Sequence, residues 1–378
     1  MTSKRVTIQD VARAAEVSLG TVSNCLNHPD KVKSKTLTKV QTAMHELGFV
    51  PNQSARMLAG GTSPVIGLVL PRLDHGTSLQ IANGANREAQ RHGYNVMICN
   101  AMASAAREED YVRYFSGMQI AGIMVEPRAV KEWRPTPTAA GDTPLVYLGC
   151  AFDAPGYYAT ADTRAQGRLL AEHALTCGAH RVCVVGSPDL IQIKNRIKGI
   201  RIIEHANPTV EFTYMTNIAR NLAADGFEVG CQIAEMPREE RPDFMLCLTD
   251  ALATGAVAAL TGAGFDIPGQ IRVAGCDGNP LAWNGPLPLT TCAPPGYEIG
   301  RQGVQLIVKQ VKQRRKLAEA RAHARAAGLP LPEEPAEEKD KPHVALVRPF
   351  LLTRQSTVAE GTTNRTASNP QLDLSTYL

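Results

Sequence analysis

The chain has 378 residues, with 40 Lys or Arg against 36 Asp or Glu and a net charge of +4. That length holds two or three domains with a sizeable core. No run approaches a membrane span and the N-terminus is polar, so a membrane or secreted protein is excluded and the cytoplasm is expected. Nine cysteines are scattered without a framework. Cys25 and Cys183 fall in apolar patterns, which points to reduced core thiols rather than disulfides.

Residues 7–27 read TIQDVARAAEVSLGTVSNCLN. Ile8, Val11, Ala12 and Ala15 share one helical face, and Thr7 with Asp10 has capping-box spacing. Ser18 offers a second N-cap, and Val22, Cys25 and Leu26 form a second apolar face. Two short helices joined this closely make a helix-turn-helix, the unit that lays its second helix in the DNA major groove. The outward positions of that helix are Leu19, Gly20, Thr21, Ser23, Asn24 and Asn27. They are small or hydrogen-bonding and suit close approach to bases and phosphates. A third helix starts at Ser34, with Leu37, Val40, Met44 and Leu47 on its buried face and Gly48 at its end. Residues 1–60 hold eight Lys or Arg against four Asp or Glu, and the other 318 residues hold 32 of each. All the net positive charge therefore lies in this segment, as phosphate neutralisation requires.

Residues 51–60, PNQSARMLAG, start with Pro51 and end before Gly61. Ala55, Leu58 and Ala59 form a narrow apolar stripe. Ten residues are too few for a helix stable alone, so the segment folds only when something orders it.

From Pro64 the pattern becomes alternation. Residues 65–70 read as a buried strand, followed by a helix near 79–92 and strands near 95–99, 121–125 and 145–148. A second series has strands at 181–185, 210–214, 244–248 and 272–274, with helices near 164–176, 194–205, 219–235 and 250–262. Repeated β-α units predict two parallel-sheet subdomains with a cleft between them, ligands sitting beyond the strand carboxyl ends. The first subdomain is expected at about 64–161 plus 290–325, the second at 162–288 plus a C-terminal strand. Chain crossings are expected near 159–162 and 288–292, with a return around 320–345. Residues 326–342 read as an acidic, Pro-broken insertion and 358–378 as a disordered tail. No leucine heptad follows to form a coiled coil.

Enzyme patterns are missing: there is no G-x-S-x-G, no Walker-type loop and no H-E-x-x-H. GAGFDIPG at 262–269 follows a helix and reads as a helix-ending turn. His173, Cys177, His180 and Cys183 have a spacing that zinc could use, but the structural reading is preferred and neither metal nor cofactor is expected. Asp162, Arg196, Thr249 and Asp277 sit at strand ends or helix starts. Arg196 would supply a donor fork facing the acceptors Asp162 and Asp277, suited to a polyhydroxylated ligand. Thr77 and Ser78 would form a polar wall, and Trp283 a flat apolar surface for a sugar ring.

VTIQDVARAAEVS (6–18), TVSNCLN (21–27) and GFVPNQSARMLAG (48–60) together resemble the LacI/GalR family of transcription regulators. The fold this implies is an N-terminal all-α helix-turn-helix headpiece (1–50), a hinge (51–63), and an α/β periplasmic-binding-protein-like core of two parallel-sheet subdomains (64–357). The resemblance implies that Ser18, Thr21, Ser23, Asn27, Lys31, Ser34 and Thr36 position phosphates, and that Leu19, Gly20 and Asn24 face base edges. It implies a hinge helix in the minor groove, with Asn52, Arg56 and Leu58 matching the pattern and Leu58 as the wedge between base pairs. Thr7 and Ala55 complete the candidate DNA-binding set. Effector contacts are implied at ADT (161–163), the Arg of NRIKG (195–199), LTD (248–250) and GCDG (275–278). Arg196→Ala is then expected to abolish the ligand response while sparing basal DNA binding. Four kinds of departure stand out, the first three being that Asn24 replaces a common Arg, Glu16 replaces a turn Gly, and Thr163 and Thr249 replace Asn. HGTS at 75–78 also stands where an aromatic-bearing motif is usual.

The function expected is a homodimeric, sequence-specific regulator of double-stranded DNA, a repressor at a pseudo-palindromic operator, controlled by a small sugar-like effector. Two alternatives stay open at this point. One keeps the DNA binding but places control with a protein partner or with no ligand. The other is a sugar-binding protein without a regulatory role.

Overall fold

The structure is a computed structural model that describes residues 6–27, 32–50, 63–73, 76–127, 137–279, 282, 287–293, 296–332 and 341–358. The expected hinge with Asn52, Ala55, Arg56 and Leu58 lies outside the described residues, as do Lys31, Trp283 and residues 359–378 of the expected tail. The chain divides into two compact units, Met1–Ser63 and Pro64–Leu378.

The first unit is three helices: α1 (Ile8–Ala14), α2 (Leu19–Asn27) and α3 (Ser34–Glu46). Thr7 and Asp10 close the capping box of α1, the Asp10 carboxylate accepting the Thr7 amide at 2.9 Å. Val11, Ala12, Ala15, Val22, Cys25, Val40 and Ala43 form its core, with Leu37, Met44 and Leu47 packed at the margin. Glu16 adopts φ 48°, the left-handed conformation that glycine favours in this turn. Its carboxylate meets the Lys39 ammonium of α3 at 2.7 Å. Gly48 ends α3 with φ 62°.

The second unit holds two six-stranded sheets. The first contains β1 (Ser63–Leu70), β2 (Asn95–Asn100), β3 (Ile120–Val125), β4 (Leu145–Leu148), β5 (Gly156–Ala161) and β11 (Pro342–Val347). Their spatial order is β11-β5-β4-β3-β1-β2. The second contains β6 (Arg181–Val185), β7 (Glu211–Met215), β8 (Phe244–Cys247), β9 (Arg272–Cys276), β10 (Thr290–Ala293) and β12 (Phe350–Leu352). Their order is β12-β10-β9-β8-β6-β7, and only the β10–β12 pair is recorded as antiparallel among the described pairings. The helices are α4 (Gly76–Arg91), α5 (Ala105–Gly117), α6 (Thr163–Thr176), α7 (Ile191–Ala206), α8 (Ala223–Glu235), α9 (Asp250–Gly262) and α10 (Gly296–Ala326). Among the described residues no helix is long and apolar enough to cross a membrane.

The crossings between sheets differ from the expected ones in two places. Thr290–Ala293, expected in the first subdomain, pairs with β9 in the second sheet. It is held there by the chain's end: Ser356 Oγ accepts the Thr290 amide at 2.8 Å and donates to the Val273 carbonyl at 2.6 Å. The stretch read as one final strand is two. Residues 342–347 join the first sheet beside β5, the His343 ring stacking on Tyr157 at 4.6 Å, and residues 350–352 join the second. A third crossing therefore falls at 348–349. The region read as an insertion at about 326–342 falls between the end of α10 at Ala326 and the start of β11 at Pro342.

Three helix pairs meet through facing glycines. A Cβ at Gly84 of α4 would lie 1.9 Å from the Tyr297 carbonyl of α10, and one at Gly300 would lie 2.1 Å from the Ile81 carbonyl. Gly167 and Gly199 play the same part between α6 and α7, as do Gly226 and Gly255 between α8 and α9. Contacts this close leave no room for a methyl group against rigid backbone. Gly300→Ala should therefore destabilise the core by about 1–3 kcal/mol, the range for overpacking. Urea unfolding of the variant checks this, and an unchanged midpoint would contradict the crossing as described.

Candidate functional site

Both candidate surfaces follow from where helices begin. In the first unit, Ser18 caps α2, its Oγ accepting the Thr21 amide at 3.0 Å and lying 2.8 Å from the Thr21 hydroxyl. This pins the N-terminus of the helix that carries the candidate base contacts. Leu19, Gly20 and Asn24 are exposed on it, while Thr21 and Ser23 are half-buried. Asn27 ends the helix. Ser34 is exposed at the start of α3, where its carbonyl accepts the Thr38 hydroxyl at 3.1 Å, and Thr36 is half-buried. The Thr7 hydroxyl is spent on Asp10 at 2.7 Å, so its place is in the cap.

In the second unit the polar residues converge beyond the carboxyl ends of the second sheet. Arg196, on α7, is 4% exposed. Its Nε donates to Gln166 Oε1 at 3.2 Å, Nη1 to the Leu248 carbonyl at 2.6 Å, and Nη2 to Asp277 Oδ1 at 2.9 Å. The fork that the sequence assigns to a ligand is thus turned on three protein acceptors. Asp162 and Thr249 act as helix caps. Asp162 Oδ1 accepts the Ala165 amide at 2.9 Å, and Thr249 Oγ1 accepts the Leu252 amide at 3.1 Å while donating to the Asn221 carbonyl at 3.2 Å. Ser78 is fully buried and donates to Glu126 at 2.6 Å. Thr77 is half-buried beside it.

Several members of this cluster escape the sequence reading. Gln166 is fully buried and also donates to the Cys292 carbonyl at 3.2 Å. Asn221, with φ 59°, accepts the Ser187 amide at 2.7 Å. Two glutamines tie the subdomains together: Gln80 of α4 donates to the Gly278 carbonyl at 2.5 Å, and Gln192 of α7 to the Gly149 carbonyl at 3.2 Å. The Oε1 atoms of both are buried and receive no hydrogen bond from the described residues. One signal was available in the sequence: Gln166 and Gln80 are amides at core positions of their helices, beside Leu170 and Ile81.

Asp250 is 2% exposed and accepts the Asn279 amide at 2.6 Å. Burial, and after it the charge of Asp277, push its pKa up to about 7, against the lowering effect of the Thr291 hydroxyl and the Asn279 amide. The cysteine and histidine spacing resolves into packing. His173 Nε2 lies 2.9 Å from the Thr357 hydroxyl, and burial holds its pKa down to about 4. The His180 side chain is exposed. Among the described residues no group of three or more His, Cys, Asp or Glu could hold a metal ion.

A helix-turn-helix unit joined to an α/β core with polar residues at its strand ends is the layout of a DNA-binding regulator built on a periplasmic-binding-protein fold. Residues 7–52 match the family described as bacterial regulatory proteins, lacI family, and residues 171–357 match the periplasmic binding protein-like domain. The transcriptional repressor PurR of Vibrio atlanticus (strain LGP32) is 29% identical over 313 residues, covering 82% of this chain and 92% of the relative. The transcriptional regulator DegA of Bacillus subtilis (strain 168) is 27% identical over 312 residues, covering 79% and 89%. A lac repressor dimer bound to operator and the anti-inducer ONPF shares the fold, with a TM-score of 0.70 at 22% identity over 94% of this chain and 100% of the other. The first unit thus carries a helix-turn-helix domain of the lacI type, and the second a periplasmic-binding-protein-like domain. The chain is a DNA-binding transcription regulator and not an enzyme.

Two predictions follow from the buried charges. Replacing Arg196 by Ala leaves Asp277 buried without its cation, which costs about 3–5 kcal/mol for a broken buried pair. Denaturant unfolding should show that loss, so this variant reports on stability before it reports on any ligand. For Asp250, the folded protein holds a proton between about pH 4, the ordinary carboxylate pKa, and about 7. The unfolded chain has already released it there, so stability falls as pH rises through that window. Asp250→Asn removes this titration. The wild-type melting temperature should therefore fall relative to the variant's from pH 5 to 8 (the upper part of that window and just beyond it), and a constant difference would refute the buried proton.

Proposed function

We propose that the chain is a repressor that binds a pseudo-palindromic operator as a homodimer, under the control of a small polar, sugar-like effector held between the two subdomains. The observation that carries the effector reading is the pair of bridging glutamines. Each spends its amide N–H across the cleft and keeps a buried oxygen without a donor. A buried acceptor left unpaired costs about 1–3 kcal/mol, which a hydroxyl-rich ligand would recover. Solved proteins of the same fold include a CelR–cellobiose complex and a regulator from Alkaliphilus metalliredigens QYMF complexed with D-xylulofuranose. Such a ligand would favour one angle between the sheets, and with it one spacing of two hinge segments in a dimer. Ten residues are too few for a helix stable alone, so if the segment at 51–60 pairs as the sequence leads one to expect, a small change of spacing would order or melt it.

Calorimetry with wild-type protein across a panel of sugars and nucleobases tests the effector. A sugar should bind, and Gln192→Met should weaken it by about tenfold, equal to about 1.4 kcal/mol, while DNA binding without ligand is retained. Preference for a nucleobase would change the ligand class. No binding anywhere in the panel would hand control to a protein partner. Sedimentation should give a dimer at micromolar concentration.

On the DNA side, Asn24 stands exposed where base edges are expected. Asn pairs with adenine and Arg with guanine in the major groove. Asn24→Arg should move one half-site position toward guanine in a selection from random duplexes. An unchanged consensus would place Asn24 away from the bases. Failure of the wild type to select any duplex would leave the sugar-binding alternative.

A further inference from the structure

We infer that the C-terminal half of α10 is a second DNA-contacting element, which holds the phosphate backbone of duplex flanking the operator; this rests on the regulator reading above. The helix starts at the cleft end of the first sheet, where Gly303 packs on Leu148 and Met124 at the ends of β4 and β3. It runs back past Ile307, against Gly122, to Gln310, which reaches the Leu145 carbonyl at the start of β4. Val311 still packs at the margin of the core, and residues 312–326 run on from there toward and past the strand-start edge, a length of roughly 22 Å at 1.5 Å per residue. That edge is where the chain enters the core. β1 begins at Ser63, directly after the DNA-binding segment, and its end lies beside the end of β3, Glu126 donating to the Val69 carbonyl at 2.9 Å.

The projecting part is basic. Residues 312–326 hold six Lys or Arg against the single acid Glu319. Arg314 and Arg321 continue the line of Ile307 at seven-residue steps, so the face that is apolar over the sheet turns to arginine once past it. Lys312, Arg314, Arg315, Lys316 and Arg325 are exposed. Glu319 pairs with Arg315 at 2.9 Å, and Arg321 donates to the Pro332 carbonyl at 3.0 Å. Neither the helix dipole nor solubility accounts for this pattern. The dipole favours cations only in the last turn, and Lys312 to Lys316 lie at least two turns before it. A helix made merely soluble would alternate signs, whereas Lys312 with Lys316 and Arg321 with Arg325 are like-charged i,i+4 pairs that weaken it. A polyanion that approaches from the edge joined to the DNA-binding segment satisfies both the charge and the position.

The test uses full-length protein and duplexes selected by the wild type from a random pool, with the same central site and flanks of either about 5 or about 20 base pairs on each side. Wild type should bind the long-flank duplex about tenfold more tightly or better. The variant carrying Lys312→Gln, Arg314→Gln, Arg315→Gln and Lys316→Gln should lose that gain, and its salt slope should fall by roughly one for each phosphate contact removed. The charge-keeping set Lys312→Arg, Arg314→Lys, Arg315→Lys and Lys316→Arg should restore the gain. Melting temperatures equal to wild type would show that both sets are folded, as exposed positions require. A Gln variant that keeps the flank gain and the salt slope overturns the inference and leaves the regulator reading intact. Tighter binding by that variant would instead assign the basic stretch to the chain's own acidic run, which includes Glu333, Glu334 and Asp340. Failure of the wild type to bind any duplex removes the regulator reading and this inference with it.

Discussion

The buried guanidinium of Arg196 organises the strand-end edge of the second sheet. It joins α6 through Gln166, the end of β8 through the Leu248 carbonyl, and the loop after β9 through Asp277. Backbone packing puts it there, since the Arg196 carbonyl would lie only 1.9 Å from a Cβ at Gly167. A buried ion pair contributes little net stability, because desolvating both charges offsets their attraction. Its value here is positional. Three elements that share no sequence proximity are held in one geometry at the mouth of the cleft.

The two subdomains are joined by three chain crossings and by side-chain bonds that are individually weak. The Gln80 and Gln192 links each contribute on the order of 1 kcal/mol net, as a typical hydrogen bond does. A small molecule that binds one arrangement a hundredfold more tightly than the other supplies about 2.8 kcal/mol, more than both links together. An equilibrium between subdomain arrangements poised by such bonds is therefore within a ligand's reach. The chain passes between the two sheets at 162, between Ala293 and Gly296, and at 348–349, and a rearrangement about so few crossings would be of the hinge class.

The DNA-binding unit works differently, because its geometry is almost entirely local. The Thr7–Asp10 box and the Ser18 cap each act within three residues. Glu16 shows how a departure from the family pattern is absorbed. It takes the left-handed conformation at φ 48° and pairs with Lys39, whose ammonium is the first cause that lowers its carboxyl pKa.

The three headpiece helices, the alternating β-α series and the positions of Arg196 and Asp277 were legible in the sequence. Apolar periodicity, caps and strand ends are written in residues a few positions apart. The sheet that takes Thr290–Ala293, and the division of 342–352 between two sheets, were not. A four-residue buried strand carries the same pattern whichever sheet receives it, and its choice is made by Ser356 and Thr357, more than sixty positions away. The site shows the same limit. Composition and placement marked Arg196 as a donor fork, but only the folded chain sets Gln166, Leu248 and Asp277 around it as acceptors. Local hydrogen bonds and periodicity specify elements. Their partners are decided by shape and by the need to satisfy every buried polar group, which no short window of sequence contains.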